Sequence, residues 1–244
     1  MKRIYFSAMP LNFKLDESGQ TPPVPTPREV SDLVGFTRCP KAPFFWPVAL
    51  TMANTMEPGD EAVLVLVRQI STTPYAIANI SDNLRVLKQD LANIAQMGLL
   101  TVNEEEAFAS EFDCAAENLY VPSGYFNLQV IDVAVEESQN EDVLGGLFRK
   151  MLDCLDNHSV YYACTTFGTK SYPICLMTAL NYALKAMDDN EIGKVVYQER
   201  KWTAPGKPLT LYNLTALLSL NGVVDAVSVL DDDTKKGILS SLIP

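Results

Sequence analysis

The sequence predicts an α/β fold, a doubly wound and mainly parallel sheet with helices on both faces. Three observations carry this. The strand-like stretches are solid apolar runs, such as Ala62-Val63-Leu64-Val65-Leu66-Val67, as strands covered on both faces require. Stretches of helical period lie between them, and the connections are short and polar. At 244 residues the chain is long enough for one substantial core, so it reads as a single domain over 1–244. The core covers about 1–200 and a helical closing segment about 208–244.

In chain order, Ile4 to Ala8 reads as the first strand. Met1-Lys2-Arg3 puts basic residues ahead of apolar ones, but Pro10, Asn12 and Lys14 break the run before a signal-peptide core can form. Leu11 to Arg28 is proline-rich and polar, an ordered surface excursion or a flexible flap. Phe44 to Met56 is helical, with Phe45, Val48, Ala49, Met52 and Met56 on one face. Glu61 to Gln69 is a strand. Ser81 or Asp82 is placed to cap a helix carrying Leu84, Leu87, Leu91, Ile94 and Ala95. Asn118 to Pro122 is a short strand and Asn127 to Val135 a clearer one. Asp142 to Leu155 is an amphipathic helix, Ser159 to Cys164 a strand, Tyr172 to Met187 a helix, Ile192 to Gln198 a strand and Leu214 to Leu230 a last helix. The alternation is that of a Rossmann-like domain.

Composition narrows the function. With 48% hydrophobic and 20% charged residues the chain is ordinary globular protein. A formal net charge of -11 repels duplex nucleic acid and anionic lipid, so any bound anion must be held by local geometry. No apolar stretch approaches the length of a membrane span, about 18 residues. Cys39, Cys114, Cys154, Cys164 and Cys175 form no CxxC pair and sit among apolar neighbours, which suits buried reduced thiols, a cytoplasmic location and no structural zinc. The acidic clusters Glu104-Glu105-Glu106, Glu136-Glu137 and Asp231-Asp232-Asp233 read as solvated loop charge and not as metal ligands. No cofactor is expected.

The chemistry concentrates at Thr165-Thr166-Phe167-Gly168-Thr169-Lys170-Ser171, between a strand and a helix. That junction gathers free backbone N–H groups and the positive end of a helix dipole, which together suit an anion. Gly168 permits positive φ or close backbone approach. Thr165, Thr166, Thr169 and Ser171 supply hydroxyls, and Lys170 supplies a formal charge. The plainer reading is that Ser171 caps the helix and Lys170 is solvated. The first glycine of GxxxxGK[ST] is missing and GxGxxG is absent, which argues against a P-loop NTPase or a dehydrogenase. In doubly wound sheets the ligand lies beyond the carboxyl ends of the strands, so the companion loop is Phe6-Ser7-Ala8-Met9-Pro10. Arg68 ends a neighbouring strand and reads as a surface arginine.

The run Tyr161 to Ser171, the helix Ile174 to Leu184, the strand Lys194-Val195-Val196-Tyr197 and the later Pro208 to Leu218 resemble the CRISPR-associated Rossmann-fold domain, the CARF family. The likeness is weak up to about residue 155 and better beyond it, and Phe167 stands where many relatives carry glycine. The resemblance implies a homodimer whose paired crevices bind cyclic oligoadenylate, the second messenger of type III CRISPR antiviral defence. It assigns ligand contacts to Ser7, Ala8, Met9, Thr165, Thr166, Gly168, Thr169, Lys170 and Ser171. Two copies of each turn would then converge on one cyclic ligand.

Two classes of function follow. As an enzyme, the chain is a metal-independent ring nuclease in which Lys170, Ser7 and Thr169 act on the messenger. As a binding module, it senses cyclic oligoadenylate and signals to a separate effector protein. With Pro244 taken as the natural end, the lack of an effector favours the enzyme. The family's RNase motif, Arg-x4-6-His, is not met, because the one histidine, His158, lies too far from Arg149. A third reading is an unrelated α/β protein that binds a phosphate ligand.

Overall fold

The computed structural model describes residues 2–10, 46–70, 74–103, 124–199, 210–228 and 230–242. The proline-rich Leu11 to Arg28, the strand expected at Asn118 to Pro122, Glu104 to Glu106, Cys39 and Cys114 lie outside them.

Six strands form one sheet: β1 (Lys2–Ala8), β2 (Glu61–Gln69), β3 (Leu128–Val135), β4 (Ser159–Cys164), β5 (Glu191–Glu199) and β6 (Thr210–Asn213). Their order is β3-β2-β1-β4-β5-β6. β1 to β5 are parallel and β6 runs antiparallel to β5. The helices are α1 (Pro47–Thr55), α2 (Pro74–Gln96), α3 (Glu141–Leu152), α4 (Tyr172–Ala186), α5 (Thr215–Val227) and α6 (Asp232–Leu242). The chain winds outward from β1 through β2 to β3, then returns to β4 and proceeds the other way. Right-handed crossovers in opposite directions put their helices on opposite faces, and the helices do pair accordingly, α1 with α2 and α3 with α4. The domain is therefore a Rossmann-like, doubly wound α/β sheet, and the strand order reverses between β1 and β4.

Burial follows the same logic. Tyr5, Phe6, Leu64, Val65, Leu66, Tyr161, Ala163 and Val195 are buried on whichever side of the sheet they lie, which is why the runs in the sequence are solid. On one face the Tyr5 and Tyr162 rings stack at 4.7 Å; on the other Phe6 meets Tyr161. Gly193 sits at a shift in the β4–β5 register, where any Cβ would strike the Tyr162 ring.

Several boundaries differ from expectation. α2 begins at Pro74, whose fixed φ suits a first helical turn. Ser81 and Asp82 therefore lie inside the helix, where Asp82 meets Arg85 at 3.5 Å. α3 starts one residue earlier than expected because Asn140 caps it, its Oδ1 accepting the Val143 N–H at 2.9 Å. The closing segment is a strand and two helices, not one helix. Asp231 caps α6 by accepting from the Thr234 N–H and hydroxyl at 3.0 and 2.7 Å. The run Asp231-Asp232-Asp233 is thus a helix start with its charge at the positive end of the dipole, not a loop. Of the described cysteines only Cys164 is fully buried; Cys154 and Cys175 are half-buried, and none of the three is in a disulfide.

Candidate functional site

The carboxyl ends of β1 and β4 meet where the strand order reverses, which is where open α/β sheets take their ligands. Beyond Cys164 the chain is fastened to β5. The Thr165 N–H and hydroxyl both donate to Val196 O, at 2.9 and 3.2 Å. The Thr166 hydroxyl accepts the Gln198 N–H at 2.8 Å and the Cys164 thiol at 3.3 Å. Both threonine hydroxyls are thus engaged in shaping the turn, where the sequence offered them to a ligand.

Phe167 then turns inward, 8% exposed, and meets Trp46 edge-on at 5.8 Å. Phe167 therefore anchors the turn in the core. Gly168 has φ +98, and a Cβ there would sit 2.8 Å from the Ala8 Cβ and 3.2 Å from that of Tyr172. Only glycine fits, both for its backbone conformation and because the end of β1 presses against it. The structure accordingly brings together the two segments singled out in the sequence, Ser7 to Met9 and Thr165 to Ser171.

Their side chains fare differently. Ser7 is 0% exposed and its hydroxyl donates to Ala8 O; Ala8 and Met9 are each 2% exposed. A buried hydroxyl bonded to the carbonyl of the next residue is not presented to a ligand, so the catalytic role expected of Ser7 is not supported by its placement. Ala8 and Met9 serve as packing beneath the turn. Lys170 is exposed, and Thr169 and Ser171 are half-buried.

The start of α4 is also plainer than expected. Ser171 occupies the N-cap position but makes no side-chain cap bond. Instead its hydroxyl contacts Thr169 Oγ1 at 3.0 Å and donates to Gln139 Oε1. The Tyr172 N–H is taken by Thr169 O at 3.2 Å and Pro173 has none, so fewer helix donors face outward than the strand–turn–helix pattern promised. Gln139, which nothing in the sequence marked, ties the connection before α3 to the turn and sets the N-termini of α3 and α4 side by side. That connection carries the exposed carboxylates Glu136 and Glu137, and the first turn of α3 adds Glu141 and Asp142, so one Lys170 works against a local excess of negative charge. Beneath the turn, burial raises the Tyr172 hydroxyl well above the ordinary tyrosine range.

The remaining candidates are placed away from this chemistry. The Arg68 Nε lies 2.8 Å from both oxygens of Asp132 on the adjoining strand, an ion pair rather than an anion receptor. His158 is exposed with φ +54 at the opposite end of β4, its Nδ1 3.4 Å from Asp189. Among the described residues no group of His, Cys, Asp and Glu is arranged to hold a metal ion, and no helix is long and apolar enough to cross a membrane. Compared with protein-family models and with the curated proteins, the chain matches none of them.

Proposed function

We propose that this chain binds cyclic oligoadenylate across the crests of a homodimer, with the Thr165 to Ser171 turn of each copy holding the ribose-phosphate ring. The observation that carries it is the close approach of Gly168 to Ala8 at the strand-order reversal, beside an exposed Lys170. Backbone N–H groups in a positive-φ turn and a lysine above them suit a phosphodiester. One turn supplies a single lysine and few backbone donors to a ring of several phosphates, and a two-fold axis presents two such turns to the same ring. On this reading the protein acts in the cytoplasm, in type III CRISPR defence.

The bound ring is open to metal-independent cleavage. A ribose 2′-OH attacks the adjacent phosphorus, the P–O5′ bond breaks, and the proton passes from the 2′-oxygen to the departing 5′-oxygen, leaving a 2′,3′-cyclic phosphate. Lys170 and the Thr169 hydroxyl stabilise the charge developing on the phosphoryl oxygens. Burial of the Ser7 hydroxyl favours a second reading, in which the ring is sensed without cleavage and a separate effector protein takes the signal. Incubation with cyclic tri-, tetra- and hexa-adenylate in excess chelator, followed by chromatography, separates these. Binding with a cyclic-phosphate product supports the nuclease, binding without product the sensor, and no binding overturns both.

A further inference from the structure

Next to the turn, β5 and β6 carry an aromatic pair that the core does not absorb. Tyr197 and Tyr212 are direct partners in the antiparallel ladder, their ring centroids 6.4 Å apart and their planes within 20°. They remain 38% and 43% exposed. Two residues earlier, on the same face of β5, Val195 is completely buried, so exposure begins abruptly at Tyr197. A cross-strand aromatic pair stabilises a sheet edge by itself, yet that needs only the faces turned toward each other.

The pair is also fastened to the turn. Val196 O holds Thr165 and the Gln198 N–H holds Thr166, and Tyr197 stands between these two residues. The backbone of Tyr197 therefore lies about one strand spacing, ~4.8 Å, from where the turn begins, and that of Tyr212 one strand farther out. Ile174, on the first turn of α4, is 70% exposed. A ligand with one anionic and one flat aromatic part matches this juxtaposition, while bare phosphate or a sugar phosphate leaves the rings unused.

We propose that the Tyr197 ring, backed on its other side by Tyr212, forms the platform on which a purine base of the bound nucleotide stacks, which rests on the reading of the Thr165 to Ser171 turn as its phosphate site. Base stacking on aromatic side chains depends on the π-faces and not on hydrogen-bond readout, and loss of one ring lowers affinity about tenfold.

The test is calorimetric titration of wild type, Tyr197→Leu, Tyr212→Leu and Tyr197→Phe with cyclic tetra-adenylate and with inorganic phosphate, with sedimentation of each protein. Leucine keeps an apolar side chain in the strands but has no π-face. The expected result is a roughly tenfold loss of adenylate affinity in Tyr197→Leu, a smaller loss in Tyr212→Leu, retention in Tyr197→Phe, and unchanged phosphate affinity throughout. Leucine variants that bind adenylate like wild type overturn the platform. Leucine variants that fall from dimer to monomer also overturn it and make the pair an interface between copies. Wild type that binds phosphate but not adenylate removes the platform and leaves the turn standing; wild type that binds neither removes both. Should the leucine variants fail to fold, Tyr197→Phe still decides: a loss of adenylate affinity like that expected for leucine contradicts stacking, and retention supports it.

Discussion

The two ends of this sheet are built on opposite plans. At the amino ends of the strands polar side chains are consumed by one another. Arg3 pairs with Asp60 and donates to the Tyr162 hydroxyl at 2.7 Å. The Tyr5 hydroxyl meets Thr55 at 2.9 Å, and Asn127 bonds the carbonyls of Asp60 and Leu99 at 3.1 and 2.8 Å. These bonds tie β1, β4, α1 and the segment before β2 into a closed network. At the carboxyl ends, Gly168 holds a left-handed conformation against Ala8, and Lys170 projects into water. A satisfied network supports the fold; a constrained turn under an exposed cation is suited to a ligand that brings the missing partners. The contrast locates function better than residue type does, since Arg3 and Asp60 at the amino end already hold each other.

Substitutions at the two ends should therefore separate stability from binding. The largest effect is expected from Gly168→Val, because the new side chain meets Ala8 and the backbone conformation excludes a β-branched residue. Stability should drop by about 3 kcal/mol in urea titration, and adenylate binding should vanish. Asp60→Asn should come next, costing about 2 kcal/mol by leaving the half-buried Arg3 without its carboxylate, with adenylate affinity unchanged. A binding defect in Asp60→Asn would break the division between the ends.

Acid should act on the amino end. Burial alone would raise the Asp60 carboxyl, but the Glu57 N–H and Arg3 outweigh it and hold it below the ordinary aspartate value. A group depressed in the folded state contributes fully above its unfolded pKa, about 3.9, and loses that contribution as pH falls through the lower folded value. Urea midpoints of the wild type should fall below about pH 4, and Asp60→Asn should show a smaller fall. An equal fall would remove Asp60 from the network. The smallest stability effect is expected of Lys170→Ala, within about 0.5 kcal/mol of wild type, as for an exposed residue outside any network.

β1, β2 and β4 were legible because both-face burial writes itself as solid apolar runs, whereas β3 and β5, only partly buried, were legible as short β-branched stretches between helical ones. β6 was not legible: four residues carry too little period to register, and its pairing with β5 is a tertiary fact. Pro74 outranked Ser81 and Asp82 as a helix start, since a polar residue caps only where the preceding chain has already left the helix. At the site, the strand–turn–helix order and Gly168 were legible, being local backbone chemistry. The burial of Ser7, the engagement of Thr165 and Thr166 with β5, and the reach of Gln139 to Ser171 depend on neighbours distant in sequence, and no spacing rule reports them.

The central claim is that Lys170 and the Gly168 turn hold a nucleotide phosphate, and one comparison tests it most directly. Cyclic tetra-adenylate affinity and single-turnover cleavage are measured for wild type and Lys170→Ala at matched stability. Wild type should bind, and Lys170→Ala should lose cleavage by about a hundredfold or more while binding weakens far less, since the turn's backbone donors remain. If wild type binds without cleaving, the sensor reading predicts that affinity alone falls in the variant. Affinity and rate that are the same in both proteins would contradict the account and leave the turn an ordinary helix start.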